Sequence, residues 1–124
     1  MAKAVFRPGE IAVSEAKIIL EPPTAFPELA HLVQAEDDLE EIWLYTFRQW
    51  SLEQADKYHR GIIAAIEGLV SGSKIGQRTD VREGYWKYRV GMHVIYFRYS
   101  EGYLDVIRIL HARMDVNTHL HDQD

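Results

Sequence analysis

Two histidines and two arginines in the last third of the chain could carry out acid–base chemistry on a phosphate group. His93 and Arg98 lie in one apolar, strand-like segment, and His111 and Arg113 lie at the end of the next. RNA cleavage at a 2′-hydroxyl needs a general base, a general acid and a cation that stabilises the transition-state charge. On adjacent strands, these four side chains could form a ribonuclease site. We favour the alternative that both histidines are half-buried and bond the backbone or each other.

A metal site is a weaker hypothesis. His111, His119 and His121 could supply imidazole ligands, but His119 and His121 share a face only if their segment is a strand. No cysteine or fixed set of carboxylates accompanies them. The sequence also lacks a glycine-rich phosphate loop and a Ser/His/Asp arrangement. We therefore expect no metal and no cofactor.

The segment from Tyr103 to Asp115 is the element that must position His111 and Arg113. Its residues Leu104, Val106, Ile107 and Ile109 are apolar and closely spaced, which predicts a strand buried in a sheet, and the two polar side chains follow where that strand ends. A rigid strand is a common support for a functional surface.

Two further strands are predicted before this one. Gly84 to Val90 alternates, with Tyr85, Lys87 and Arg89 on one face and Trp86, Tyr88 and Val90 on the other. Met92 to Tyr99 is the next strand, after a tight turn at Gly91. Ser100-Glu101-Gly102 then forms a hairpin turn into the last strand. The three strands make an antiparallel meander.

A helical hairpin is predicted before the sheet. From about Pro27, apolar residues recur at helical spacing, and acidic residues between Glu36 and Glu41 fill the other positions, which is typical of a solvated face. We favour a strand over Glu28 to Gln34. Ser51 is expected to cap a second helix that ends at Ser71-Gly72-Ser73. The hairpin needs a sheet to cover its apolar faces, so the fold class is α+β.

The composition limits location and partners. With 124 residues and no cysteine, the chain is expected to be one domain without disulfides. It contains no apolar run of roughly 18 residues and no signal-like N-terminus, which predicts a cytoplasmic protein without membrane association. Residues 1–56 carry 4 basic and 11 acidic side chains, whereas residues 57–113 carry 10 basic and 5 acidic. The basic block could meet an acidic partner, although its excess is modest for nucleic acid.

Several short pieces of the sequence carry a resemblance to a known family: Ala35 to Thr46, Trp50-Ser51 with Gln54-Ala55 and Tyr58, Gly84-Tyr85 with Tyr88, Gly91 to Arg98, and Ile107 to Asp115. In this order and spacing they resemble the ParE branch of the ParE/RelE toxins of bacterial type II toxin–antitoxin systems, which include plasmid stabilisation proteins. The resemblance covers residues 35–120. It implies a β-α-α-β-β-β fold, with the helical hairpin packed on a small antiparallel sheet. It also implies a small antitoxin whose C-terminal segment lies over the groove and the sheet edge.

The resemblance also implies a choice of target. ParE-type toxins inhibit DNA gyrase, whereas RelE-type relatives cleave messenger RNA in the ribosome, and Arg113 lies where those relatives place a catalytic arginine. The relatives often have a C-terminal tyrosine, but no tyrosine follows Tyr103, and the tail from Asp115 to Asp124 is acidic and would repel RNA. We therefore predict a non-enzymatic gyrase inhibitor that binds an antitoxin, with no direct nucleic-acid binding. A RelE-type ribonuclease and a non-toxic binding module are the alternatives.

Two features depart from the family pattern. Residues 1–27 are extra and are assigned as an extension of unclear role in front of a toxin domain at residues 28–124. They could be a misjudged start, a natural extension or a tethered segment derived from the partner. Leu32-Val33-Gln34 stands where the family tends to have a serine cap.

Aromatic side chains, arginine and methionine are common in protein interfaces. On that ground the predicted partner-binding residues are Trp50, Arg82, Tyr85, Trp86, Tyr88, Arg89, Arg108, His111, Arg113 and Met114. Some of these aromatic residues are expected to lie in the core, as is Trp43. An oligomer formed together with the antitoxin is compatible with this surface.

Overall fold

A computed structural model describes Pro27, residues 29–114 and residues 116–121. The first 26 residues, and with them most of the predicted extension, lie outside the described residues. In chain order the elements are β1 (Leu29–Leu32), α1 (Gln34–Gln49), α2 (Leu52–Ser71), β2 (Gln77–Arg78), β3 (Trp86–Val90), β4 (His93–Ser100), β5 (Tyr103–His111) and α3 (Val116–His121). None of the helices in these ranges is both long and apolar enough to cross a membrane.

The sheet has five strands in the order β1-β5-β4-β3-β2. The predicted meander is present, since β3, β4 and β5 pair antiparallel. The sheet was predicted to be antiparallel throughout, but β1 pairs parallel to β5, from Leu29 opposite Tyr103 to Leu32 opposite Val106. Parallel neighbours need a long crossover, and the α1–α2 hairpin and the meander together form that connection. The sheet is therefore mixed.

The ends of the helices follow from local sequence. The side chain of Ser51 accepts a hydrogen bond from the Gln54 amide at 3.0 Å, as expected of an N-cap, and Gly72 ends α2 with φ at +86°. The predicted strand before α1 is confirmed but shorter, because α1 already begins at Gln34. Val33 precedes it without a side-chain cap, as the missing serine implies.

The helical hairpin packs on one face of the sheet, as predicted. Ile62, Ile66 and Leu69 of α2 lie in the main core together with Ile95 and Phe97 of β4. The opposite face carries a smaller cluster made by Tyr85, Tyr96, Leu110 and Leu120. Leu120 belongs to α3, a short helix that was not predicted. The strand alternation thus sends apolar side chains to both faces, and each face is covered.

Candidate functional site

The β3–β4 turn and the end of β5 meet at one end of the sheet, which we call the turn end. His93 is paired in register with His111, and the amide of Ala112 donates to the Met92 carbonyl oxygen at 2.9 Å. Three of the four residues considered for nuclease chemistry, namely His93, His111 and Arg113, are therefore brought together here. The fourth, Arg98, is not.

Tyr58 of α2, which was not predicted to be a site residue, fixes the turn end to the helical hairpin. Its hydroxyl lies 2.7 Å from His93 Nδ1 and 3.3 Å from the Val90 carbonyl oxygen, and it accepts a hydrogen bond from the Met92 amide at 3.0 Å. Gly91 makes this approach possible, because a Cβ atom there would lie 2.7 Å from the Tyr58 hydroxyl oxygen and the φ angle is +57°. Tyr58 therefore connects α2 to both strands of the turn.

Both histidines of the turn end have local partners. Their ring centroids are 5.4 Å apart in an edge-to-face arrangement, and His111 Nδ1 accepts a hydrogen bond from the Arg113 amide at 3.1 Å. Burial, and secondarily the neighbouring His111, lowers the pKa of His93 from 6.5 to about 4. His93 is therefore neutral at physiological pH, with its Nδ1 beside the Tyr58 hydroxyl. These contacts agree with the prediction that both histidines are half-buried and bond the backbone or each other.

Arg98 lies far along β4 in a different group of polar side chains. Its Nε is 3.5 Å from Asp105 Oδ2, which also accepts a hydrogen bond from Ser100 Oγ at 3.0 Å. His31 Nδ1 lies 3.2 Å from Asp105 Oδ1, and the His31 ring stacks on Tyr103 with centroids 3.8 Å apart. Five residues along a strand separate Arg98 from His93, which is about 16 Å. The predicted four-residue arrangement is thus split in two.

The turn end also exposes apolar and cationic side chains. Met92 and Met114 are 49% and 45% exposed. Arg89 and Arg113 are exposed beside them, and Arg89 Nε donates to the Gly91 carbonyl oxygen at 2.9 Å. Flexible thioethers next to guanidinium groups suit an interface with a partner that carries carboxylates.

The acidic run of α1 is not wholly solvated, because Asp38 is buried. Its carboxylate accepts hydrogen bonds from Arg108 Nε at 2.8 Å, from Arg108 Nη2 at 3.0 Å and from the Ile109 amide at 2.9 Å. Since β1 ends opposite Val106, Asp38 supplies an acceptor to β5 just beyond the parallel ladder. Arg108 was predicted to bind a partner, but its charge is used within the chain to hold α1 against β5.

The remaining predicted partner-binding residues are divided between core and surface. Tyr85 and Trp86 are only 2% and 8% exposed, and Tyr88 packs against the main core. Arg82 Nη1 donates to the Leu120 carbonyl oxygen at 3.2 Å, which connects α3 to the loop before β3. Trp50, at the tip of the helical hairpin, is 74% exposed. Tyr85 and Trp86 are buried because consecutive residues of a strand point to opposite faces of the sheet, and an apolar cluster covers each face.

The segment that contains His119 and His121 is helical, so the strand geometry that a metal site required is absent. Within the described ranges, no group of three or more His, Cys, Asp or Glu side chains could hold a metal ion.

Two helices packed on a five-stranded mixed sheet make this an α+β fold, as predicted. Residues 32–116 match the family described as the ParE toxin of type II toxin–antitoxin system, parDE, and the chain belongs to that family. The predicted resemblance is thus confirmed, and the matched residues run from the end of β1 to the start of α3.

Individual relatives agree with this assignment. Toxin ParE1 of Mycobacterium tuberculosis is 41% identical over 88 residues, which cover 69% of this chain and 90% of that protein. Toxin ParE1 of Caulobacter vibrioides is 35% identical over 88 residues, covering 70% and 91%. A chain of the solved chromosomal ParDE TA system from P. aeruginosa aligns with a TM-score of 0.58 at 18% identity, over 66% of this chain and 92% of that one, and supports the fold.

Proposed function

We propose that this protein is a toxin that inhibits DNA gyrase by protein–protein binding and is neutralised by a cognate antitoxin. The observation that carries the proposal is the match of residues 32–116 to the ParE toxin family. The target and the antitoxin are properties that the resemblance implies for ParE-type toxins. The geometry of the turn end supports a binding mode of action over a catalytic one.

The arrangement of the polar groups argues against ribonuclease chemistry. Arg98 is paired with Asp105 and lies far from His93. One of the two arginines predicted for the ribonuclease site is therefore absent from the turn end. A histidine with a pKa of about 4 is a weak base, and the Nδ1 atom of His93 is next to the Tyr58 hydroxyl. His111 Nδ1 is likewise bonded to the backbone. These contacts suit a rigid surface better than proton transfer.

The turn end is the proposed antitoxin site. An acidic antitoxin segment would meet Arg89 and Arg113, while Met92 and Met114 would contact its apolar residues. Tyr58 holds this surface in place, so little ordering of the toxin would be needed on binding.

Two activity assays on the purified protein test the target. We expect inhibition of gyrase supercoiling and intact messenger RNA in a ribosome-dependent cleavage assay. Cleavage of messenger RNA with unaffected gyrase would refute the proposal in favour of the RelE-type alternative. No effect in either assay would favour the non-toxic binding module.

A charge reversal tests the antitoxin site. Arg113→Glu should weaken antitoxin binding by about tenfold or more, because it places a like charge against an acidic segment. Arg60→Glu is the matched control, since Arg60 is an exposed arginine on α2 and should change binding little. Equal effects of the two substitutions would contradict the placement of the site.

Residues 1–27 are proposed to be an extension of the toxin domain at residues 28–124. Deletion of residues 1–26, which keeps the buried Pro27, tests whether they restrain the toxin. If the segment covers the antitoxin groove that the family resemblance implies, its loss should make the protein more toxic or less soluble. Unchanged toxicity and solubility would make it a passive extension.

A further inference from the structure

The end of α1 and the start of α2 expose large apolar side chains that the proposed antitoxin site does not use. Phe47, Trp50 and Leu52 are 44%, 74% and 54% exposed, and Leu44 is 37% exposed. All lie between residues 44 and 52, at the end of α1 and the start of α2. Single exposed apolar residues are ordinary, but a cluster that contains tryptophan and phenylalanine marks an interaction surface.

The aromatic part of this surface is partly fixed in place. Trp43 was predicted to lie in the core, but it is only half-buried, and its ring stacks on that of Phe47 with centroids 5.3 Å apart and an interplanar angle of 13°. The indole Nε1 of Trp43 donates to Asp56 Oδ1 of α2 at 2.9 Å, so the stack is tied to the second helix. A side chain held in this way loses little conformational entropy when a partner covers it.

The same side of α1 is acidic towards its beginning. Glu36 and Glu40 precede Phe47 at helical spacing, with Asp37 and Glu41 beside them, and all four carboxylates are exposed. Arg48 is the only cationic residue between residues 34 and 56. Because Asp38 is used by Arg108, these four are the acidic side chains that α1 offers to a partner. The helix therefore presents an acidic half followed by an aromatic half.

We propose that this surface, the hairpin patch (Glu36, Glu40, Leu44, Phe47, Trp50 and Leu52), binds a segment of a partner protein that is basic at one end and apolar at the other. The charge complementarity identifies the occupant, since cations would face Glu36 and Glu40 while apolar side chains cover Phe47 and Trp50. At 1.5 Å per residue, the acidic and aromatic parts are about 10–16 Å apart along the helix.

The charge of the hairpin patch separates this partner from other occupants. An acidic antitoxin segment would be repelled by Glu36 and Glu40 and fits the arginines of the turn end instead. A second copy of the chain would bring two acidic faces together, and an anionic membrane would meet the same repulsion. The inference does not depend on gyrase being the target.

Binding of designed peptides to the full-length protein tests this proposal. The probe is a synthetic helical peptide whose first half contains lysines and whose second half contains leucines. The control peptide has glutamate in place of each lysine. Titrations followed by calorimetry should give binding of the lysine peptide at least about tenfold tighter, with a difference that shrinks as salt rises.

Two variants locate the peptide on the protein. Trp50→Ala should weaken binding of the lysine peptide by about tenfold, and Glu36→Gln with Glu40→Gln should weaken it and flatten its salt dependence. Arg113→Glu, at the turn end, should have no such effect. Because the substituted side chains are exposed, unchanged circular dichroism spectra are expected for all variants.

Three results would overturn the proposal. One is equal affinity for the two peptides, and another is binding that Trp50→Ala leaves unchanged. The third is a protein that does not bind the lysine peptide but either forms a dimer in light scattering or is retained by phosphatidylserine vesicles, where Trp50→Ala abolishes the dimer or the retention. Either form of the third result would assign the hairpin patch to a second copy or to a lipid surface.

Discussion

Replacing Asp38 by asparagine removes the charge that holds α1 on β5 while it preserves the shape of the side chain. Asp38 is 8% exposed, and its carboxylate accepts three hydrogen bonds, two of them from the Arg108 guanidinium. Removal of one partner from a buried ion pair costs about 3–5 kcal/mol, since the other charge stays buried without compensation. An asparagine oxygen can still accept one hydrogen bond, so we expect a loss of about 3 kcal/mol in the free energy of unfolding.

Urea denaturation monitored by far-ultraviolet circular dichroism measures this loss, and Asp37→Asn is the control. Asp37 is exposed in the same helical turn, so its substitution should cost only about 0.3–0.5 kcal/mol through the helix dipole. Arg108→Met, alone and combined with Asp38→Asn, completes a double-mutant cycle with an expected coupling energy of about 1–3 kcal/mol. A loss for Asp38→Asn no larger than that for Asp37→Asn would show that the Asp38–Arg108 pair does not stabilise the fold.

Three further substitutions test the turn end and the hairpin. The pKa of His93 falls from 6.5 to about 4 on folding, so the unfolded chain binds its proton first as pH drops. The contribution of His93 to the free energy of unfolding should therefore be constant above pH 6.5 and should fall between pH 6.5 and 4 by about 1–2 kcal/mol, after allowance for solvent screening at this half-buried ring. Denaturation curves across this range should show a weaker pH dependence for His93→Asn, and an identical one would contradict the assignment. Gly91→Ala should cost about 2 kcal/mol in thermal unfolding, because alanine disfavours positive φ and its Cβ displaces Tyr58; the cost should be less than additive with Tyr58→Phe. Ser51→Ala should lower the stability by about 1 kcal/mol in the same assay through loss of the cap on Gln54, whereas an unchanged melting temperature would show that this cap contributes nothing.

The local elements could be predicted because their signals are contained in a few neighbouring residues. The cap at Ser51, the left-handed glycine at residue 72 and the alternation along β3 depend on backbone geometry within a turn or a strand. The two faces predicted for Gly84 to Val90 are present, with Trp86 in the core beneath the helices and Tyr85 in the cluster on the opposite side. Family membership could also be predicted, because the order and spacing of the family's motifs can be recognised in the sequence alone.

The partner-binding residues were harder to predict, since chemical type does not reveal burial. Tyr85 and Trp86 are aromatic like Trp50, yet the first two are buried and the third is 74% exposed. Arg108 and Arg113 are five residues apart on one segment, but Arg108 is paired with the buried Asp38 whereas Arg113 is exposed. The difference depends on which residues approach from distant parts of the chain.

The sequence by itself determined the helical hairpin, the meander and the grouping of His93 with His111, because each follows from spacing along the chain and from pairing between neighbouring strands. Only the tertiary structure decided that β1 lies parallel to β5, that Tyr58 reaches the β3–β4 turn and that Asp38 is buried against Arg108. Tyr58 and Met92 are 34 positions apart, and Asp38 and Arg108 are 70 apart. Contacts over such separations arise when the apolar faces of the helices and the sheet exclude water together, and no local pattern specifies which polar group will lie opposite another.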